Sequence, residues 1–163
     1  MSRLDSFIRR MTAQKLLLER AAELIADVPG PVIELGLGAG RTYDHLRMLL
    51  PDREVFAFDT VLQAAVGALP DADHMIVGDI RETLRFARLR IHEPAALVHN
   101  DLGSGDAVYN AATSAWLSPL VAGIIAPRGI VVTSFPLALP GASALALPPG
   151  IKPGRYHIFQ AAA

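Results

Sequence analysis

The chain has 163 residues, a length that a single domain with a full hydrophobic core occupies. Its 15 basic and 16 acidic residues leave a formal net charge of −1, so no global field draws it onto nucleic acid or anionic lipid, and with no cysteine it has neither disulfides nor thiolate chemistry. Hydrophobic residues make up 52% before glycine is counted, above the roughly 45–50% usual for soluble domains with glycine included, which leaves apolar surface for contact with a second copy.

Residues 3–27 carry Leu4, Phe7, Ile8, Met11, Leu17, Leu18, Ala21, Ala22, Leu24 and Ile25, spaced mostly three or four apart, which predicts an amphipathic helix or a pair of helices. Arg3, Asp5, Arg9, Arg10 and Lys15 interrupt the apolar core that a secretory signal needs, so a cytoplasmic location is expected. Pro29-Gly30-Pro31 stops the helix. An alternation follows: strand 32–35, helix 42–50, strand 55–58, helix 61–69, strand 74–77, helix 81–90 and strand 95–99. Asp106 is placed to cap a helix from Ala107, and Ser118-Pro119 reads as a second N-cap with proline at the first helical position. Pro127-Arg128-Gly129 turns into a strand at 130–135. Residues 137–154 are rich in proline and glycine, with a short strand at 144–147, and an edge or inserted strand closes the chain at 156–160. No charge occurs between Arg128 and Lys152, but Pro136, Pro140, Gly141, Pro148 and Pro149 would break a membrane-crossing helix there. Repeated β and α units predict an α/β fold, a doubly wound, mostly parallel sheet with helices on both faces, formed by one domain over 1–163.

The most informative stretch is Val32-Ile33-Glu34-Leu35-Gly36-Leu37-Gly38-Ala39-Gly40-Arg41, a short apolar strand that breaks into glycines and opens a helix. Glycine backbone comes close to a ligand, and the free N–H groups at a helix start favour negative charge. The dinucleotide fingerprint requires a glycine three places after the second one, where this chain has Arg41. The pattern is instead acid-x-Gly-x-Gly-x-Gly. Ligands of such sheets lie beyond the carboxyl ends of the strands, and there the chain places Glu34, Asp59, Asp79, Asn100 and Asp101. Asp59 follows its strand about twenty residues past the glycines, where a carboxylate can take both hydroxyl protons of a ribose diol. Asp79, with Glu82 three residues on, reads equally as a capping box. Glu34 inside a buried strand needs a partner, whether a ligand or the glycine loop that it braces. Arg41 faces either a ligand or solvent. The loop from His99 to Asp106 holds more polar residues than packing explains, although Asn and Asp before Gly also form turns. Tyr43, His45 and Tyr109 line a pocket or a helix surface, and the five histidines include no pair three or four apart, so no helical metal site is visible.

In these motifs, over roughly residues 32–135, the chain resembles class I S-adenosylmethionine-dependent methyltransferases. The resemblance implies a Rossmann-like sheet with a shortened C-terminal hairpin, S-adenosylmethionine as cofactor, and a small-molecule methyl acceptor, because no separate substrate domain exists. Residues 1–28, or a neighbouring subunit, would cap the pocket. It implies that Glu34, Gly36, Gly38, Gly40, Arg41 and Thr42 hold the methionine end, Asp59 and Thr60 the ribose, and Asp79 and Ile80 the adenine. Asn100 and Asp101 would close the cofactor site after the fourth strand. Asp101 first and His99 second would position the acceptor or take its proton. Relatives that use magnesium place Asp-Asn after the fifth strand; here Thr133-Ser134-Phe135-Pro136 stands there, so no metal is expected. The Asn-Pro-Pro-Tyr type signature of nucleic-acid methylases is absent, since Asp101 follows Asn100. Nucleic acid and membrane are therefore not expected as partners, whereas a homo-oligomer is compatible. Two rival readings are a non-catalytic S-adenosylmethionine-binding or sensing domain and an NAD(P)-dependent oxidoreductase, the latter opposed by Arg41.

Overall fold

A computed structural model describes residues 2–163. Ser2 caps the first helix, α1 (Arg3–Leu24), by accepting from the Asp5 N–H at 3.0 Å, while the Asp5 carboxylate accepts from the Ser2 N–H at 2.8 Å, a reciprocal capping box. The helix runs unbroken, so the N-terminal periodicity belongs to one helix rather than a pair. Its inner face buries Ala13, Gln14, Leu17, Leu18 and Ala21.

A seven-stranded sheet forms the centre: β1 (Val32–Leu35), β2 (Val55–Asp59), β3 (Met75–Val77), β4 (Ala95–Asn100), β5 (Ile125–Thr133), β6 (Ser143–Ala144) and β7 (His157–Gln160), in the order β3-β2-β1-β4-β5-β7-β6. The first five strands are parallel and β7 is antiparallel to both β5 and β6, which makes the shortened terminal hairpin. α1 and α2 (Arg41–Leu49) cover one face, where Leu17, Leu18 and Leu46 pack on Val32, Leu97 and Val132. α3 (Ile80–Thr83), α4 (Arg88–Ile91) and α5 (Ala107–Ile124) cover the other, where Leu84, Ile91, Leu117 and Val121 pack on Ile33, Phe58 and Val98. The chain changes face between β3 and β4, so the sheet's switch point opens between the carboxyl ends of β1 and β4, where such folds bind ligands.

Four local readings change. The helix expected at 61–69 shrinks to a single 3-10 turn, Val66–Ala68, because Val61, Leu62 and Val66 find no core and stay 45%, 54% and 90% exposed. A short segment with no buried face cannot meet the cost of helix nucleation. Residues 80–91 divide into α3, a 3-10 turn and α4. Ser118-Pro119 starts no second helix: α5 runs through it, and the Ser118 hydroxyl donates back to the Ser114 carbonyl at 2.7 Å and accepts from the Ala138 N–H at 2.9 Å. Proline removes one helical hydrogen bond, and burial of Leu117, Val121 and Ile124 on either side holds the helix together. β5 begins at Ile125, five residues early, with a bulge opposite Ala95–Leu97 that Arg128 accommodates at φ +61°. Among the described residues, no helix is long and apolar enough to cross a membrane.

Candidate functional site

The bend after β1 takes positive φ at Gly36, Gly38 and Gly40. At Gly40, which caps α2 at φ +78°, a Cβ would sit 2.7 Å from the Ala68 carbonyl oxygen, so the bend rests on the 64–68 segment. At Gly38, φ +50°, a Cβ would meet nothing within 4 Å and would project into open space. Asp59, at the end of β2, reaches across: one carboxylate oxygen accepts from the Gly38 N–H at 2.9 Å and the other from the Thr60 N–H at 2.7 Å. This bend floors a cavity of about 320 Å³ lined by Gly36, Gly38, Arg41, Thr42, Asp59 and Asp101, with Leu37, Ala39 and Leu102 beside them. Six of the residues singled out in the sequence thus share one cleft.

The roof of that cleft is α1, which supplies Arg10, Met11 and Gln14. Gln14 is 2% exposed, yet among the described residues neither its amide oxygen nor its amide nitrogen has a hydrogen-bond partner. Arg41 lies over the ring of Phe7, its guanidinium carbon 5.5 Å from the centroid, which ties α1 to the start of α2. The sequence held one sign of this roof: Gln14 is a polar residue in the apolar stripe formed by Met11, Leu17, Leu18 and Ala21.

Glu34 and His99 lie beneath the bend, paired in register on β1 and β4 and fully enclosed. One Glu34 oxygen accepts from the Thr42 hydroxyl and the other meets His99 Nδ1 at 2.7 Å. Burial alone would lower the His99 pKa, but the Glu34 charge and its hydrogen bond, with Asp101 adding to them, hold it above the ordinary imidazole value. An ionised pair with a third polar partner is the arrangement that makes a buried carboxylate tolerable.

Other marked residues stand outside the cleft. Asn100 is buried on the opposite face, donating to Thr133 Oγ1 at 2.9 Å and accepting from the Leu102 N–H at 3.1 Å, so its side chain shapes the loop after β4. Asp79 caps α3 by accepting from the Arg81 N–H at 2.9 Å; Glu82 pairs with Arg85 rather than closing a box. Ile80 packs in the core, Gly40 sits against Ala68, and Thr60 is exposed at the rim. Tyr43 is buried under α2, where enclosure pushes its hydroxyl pKa up.

A second cavity, of about 400 Å³, opens on the other side of Asp101 and Arg10, bounded by the loop after β4 through Gly103 and Ser104, by Asn110 of α5 and by Arg155 and Tyr156. Tyr43, His45 and Tyr109 are not among its walls. Nothing local in the sequence announced Arg155 and Tyr156, which the terminal strand carries back from a loop of proline and glycine. Among the described residues, no group of three or more His, Asp or Glu side chains converges as a metal site.

A mostly parallel sheet of this order, with an acid-led glycine bend at the switch point and an acid closing β2, defines the Rossmann-like S-adenosylmethionine-dependent methyltransferases. The chain belongs to the S-adenosyl-L-methionine methyltransferase family, whose model matches residues 1–161. It is similar to the crystal structure of an S-adenosyl-L-methionine methyl transferase from Silicibacter pomeroyi DSS-3, with 41% identity, 98% of each chain covered and a TM-score of 0.90. It shares its fold with CalS11, the TDP-rhamnose 3'-O-methyltransferase of calicheamicin biosynthesis (22% identity, 97% of this chain and 83% of that one, TM-score 0.62). Human methyltransferase-like protein 13 in complex with SAH also shares it (15% identity, 94% and 81% covered, TM-score 0.53). No curated protein matches the chain significantly. Its enzyme class is therefore S-adenosylmethionine-dependent methyltransferase, with S-adenosylmethionine as cofactor.

Proposed function

We propose that the chain is one S-adenosylmethionine-binding domain over residues 1–163, with 1–28 as its helical cap, and that it methylates a small-molecule acceptor in the cytoplasm. The observation that carries this reading is the position of Asp101, which lines both the glycine-bend cleft and the cavity behind it. The cleft fits the cofactor. Gln14 offers a donor and an acceptor with no partner among the described residues, and an amino-acid end carries both a carboxylate and an ammonium. Asp59 keeps acceptor capacity for ribose hydroxyls beyond the bonds that it already takes, and Arg41 and Thr42 stand at the helix start that favours a carboxylate. Asp79 and Ile80, at the end of β3, are assigned the adenine, with Val77 exposed beside them.

When bound, the cofactor supplies a methyl group on a positively charged sulfur. The protein's part is alignment, exclusion of water and handling of the acceptor's proton. Asp101 is assigned to orient the attacking atom or take its proton, while the Glu34–His99 pair fixes β4 and the loop that carries Asp101. A homo-oligomer belongs to the same reading, supported by the exposure of Leu4, Phe7 and Ile8 along α1.

The test is methyl transfer to a panel of metabolites, read by mass spectrometry. Asp101→Asn is expected to lower kcat about 10²–10⁴-fold, the range for a proton-transfer group, with a much smaller effect on S-adenosylhomocysteine affinity. Cofactor binding without transfer to any acceptor would favour the sensing domain instead.

A further inference from the structure

The cavity behind Asp101 continues outward into a second depression, of about 330 Å³, between α1 and the 150–156 segment. Arg10, Arg155 and Tyr156 line both, and Arg9 and Lys152 join them in the outer one. The lining therefore grades from the single acid, Asp101, at the cofactor side to four cations and no acid at the outside. In a chain of net charge −1 this concentration is local, not a consequence of composition.

None of the four cations has a carboxylate within 4.0 Å among the described residues. Arg10 is half-buried, and its Nε–H is enclosed with no hydrogen-bond partner among the described residues. A guanidinium donor shut away from both water and protein acceptors is costly unless something else accepts from it. Tyr156 lines both cavities with Arg10 and Arg155. Burial first, then the charge of Asp101, pushes its hydroxyl pKa up to about 12, while Arg10, Arg155 and Arg9 pull against the shift.

We propose that the acceptor is a small molecule bearing an anionic group, a carboxylate or a phosphate, held by Arg10 and Arg155 beside Tyr156 with its nucleophile turned inward to Asp101. This rests on the methyltransferase reading above. Planar guanidinium groups match both anions with two parallel N–H donors, and Arg9 and Lys152 add field at the entrance.

The experiment uses the full chain saturated with S-adenosylhomocysteine. Inorganic phosphate and malonate are titrated at ionic strength held constant with chloride, and binding is followed by NMR shifts of the arginine Nε–H groups. Saturable binding is expected, weakened about tenfold or more in Arg155→Glu, the order for a lost charge-assisted pair, and unchanged in Arg88→Glu on the opposite face of the sheet. Preference for phosphate assigns a phosphorylated acceptor, and preference for malonate a carboxylic acid. No saturable binding of either anion, or equal binding by Arg155→Glu, overturns the proposal. Calorimetry with S-adenosylhomocysteine separates the two levels: tight binding with no anion site removes this inference alone, whereas no binding removes the methyltransferase reading as well.

Discussion

The two cavities that meet at Asp101 are built in opposite ways. The cofactor cleft rests on the ends of hydrogen-bonded parallel strands, and the acids that shape its floor are already engaged: Asp59 with the Gly38 and Thr60 N–H groups, and Glu34 beneath the bend with Thr42 and His99. The cavity behind it is assembled from α1 and a returning C-terminal segment, and among the described residues none of its cations has a carboxylate within 4.0 Å. A floor whose polar groups satisfy one another is held in shape before any ligand arrives, at the cost of coupling ligand recognition to stability. A site of unpartnered cations forgoes that stability and keeps its interaction energy for the ligand.

The sharpest way to break that contrast is to cut the floor of the cleft. Glu34→Ala leaves the His99 imidazole enclosed without its counter-charge and is expected to cost about 3–5 kcal/mol of unfolding free energy. Urea denaturation at neutral pH measures it. A loss within about 0.5 kcal/mol, the range of an ordinary surface substitution, would mean that the pair does not brace the bend. Next in size is Asp59→Ala, which removes the acceptor assigned to the ribose and should weaken S-adenosylhomocysteine binding by about 1–3 kcal/mol in calorimetry. Unchanged affinity in a folded variant would confine Asp59 to its bond with Gly38.

The cofactor half was legible because its signals are local in sequence. An acid, three glycines and a helix start lie within ten residues, and each strand end is followed at once by its polar residue. The roles of those polar residues were less legible, since which way a side chain turns depends on strand register. His99 and Asn100 are adjacent on β4 and therefore point to opposite faces, one to Glu34 and the other to Thr133. Helix 61–69 misled because apolar residues there resemble a core face that no neighbour covers. Gln14 reaches the cleft only through the packing of α1, Arg10 meets Arg155 and Tyr156 only through that packing and the reversal of β7, and spacing along the chain does not encode either meeting. Gln14 alone left a trace, as an amide in an apolar stripe.

The smallest effect follows from the same pair beneath the bend and is a dependence of stability on pH. His99 binds its proton more tightly in the folded chain than in the unfolded one, because the Glu34 carboxylate on β1, with Asp101 beyond β4, outweighs the penalty of burial. The stability so gained is complete below about pH 6.5, the unfolded value for histidine, and drains away as pH rises toward the folded value, at no more than about 1.4 kcal/mol per pH unit. His157 works on the other side. Burial lowers its folded pKa, so its contribution is present above about pH 6.5 and is lost as pH falls through the folded value. The two windows do not overlap, and together they place an optimum near pH 6.5 from the histidines alone. Urea midpoints between pH 6 and 9 should decline for the parent protein and flatten in Glu34→Gln, where the imidazole no longer gains from its neighbour's charge. A decline of equal slope in both would show that some group other than the buried pair carries the dependence, and that the floor of the cofactor cleft is not held by charge.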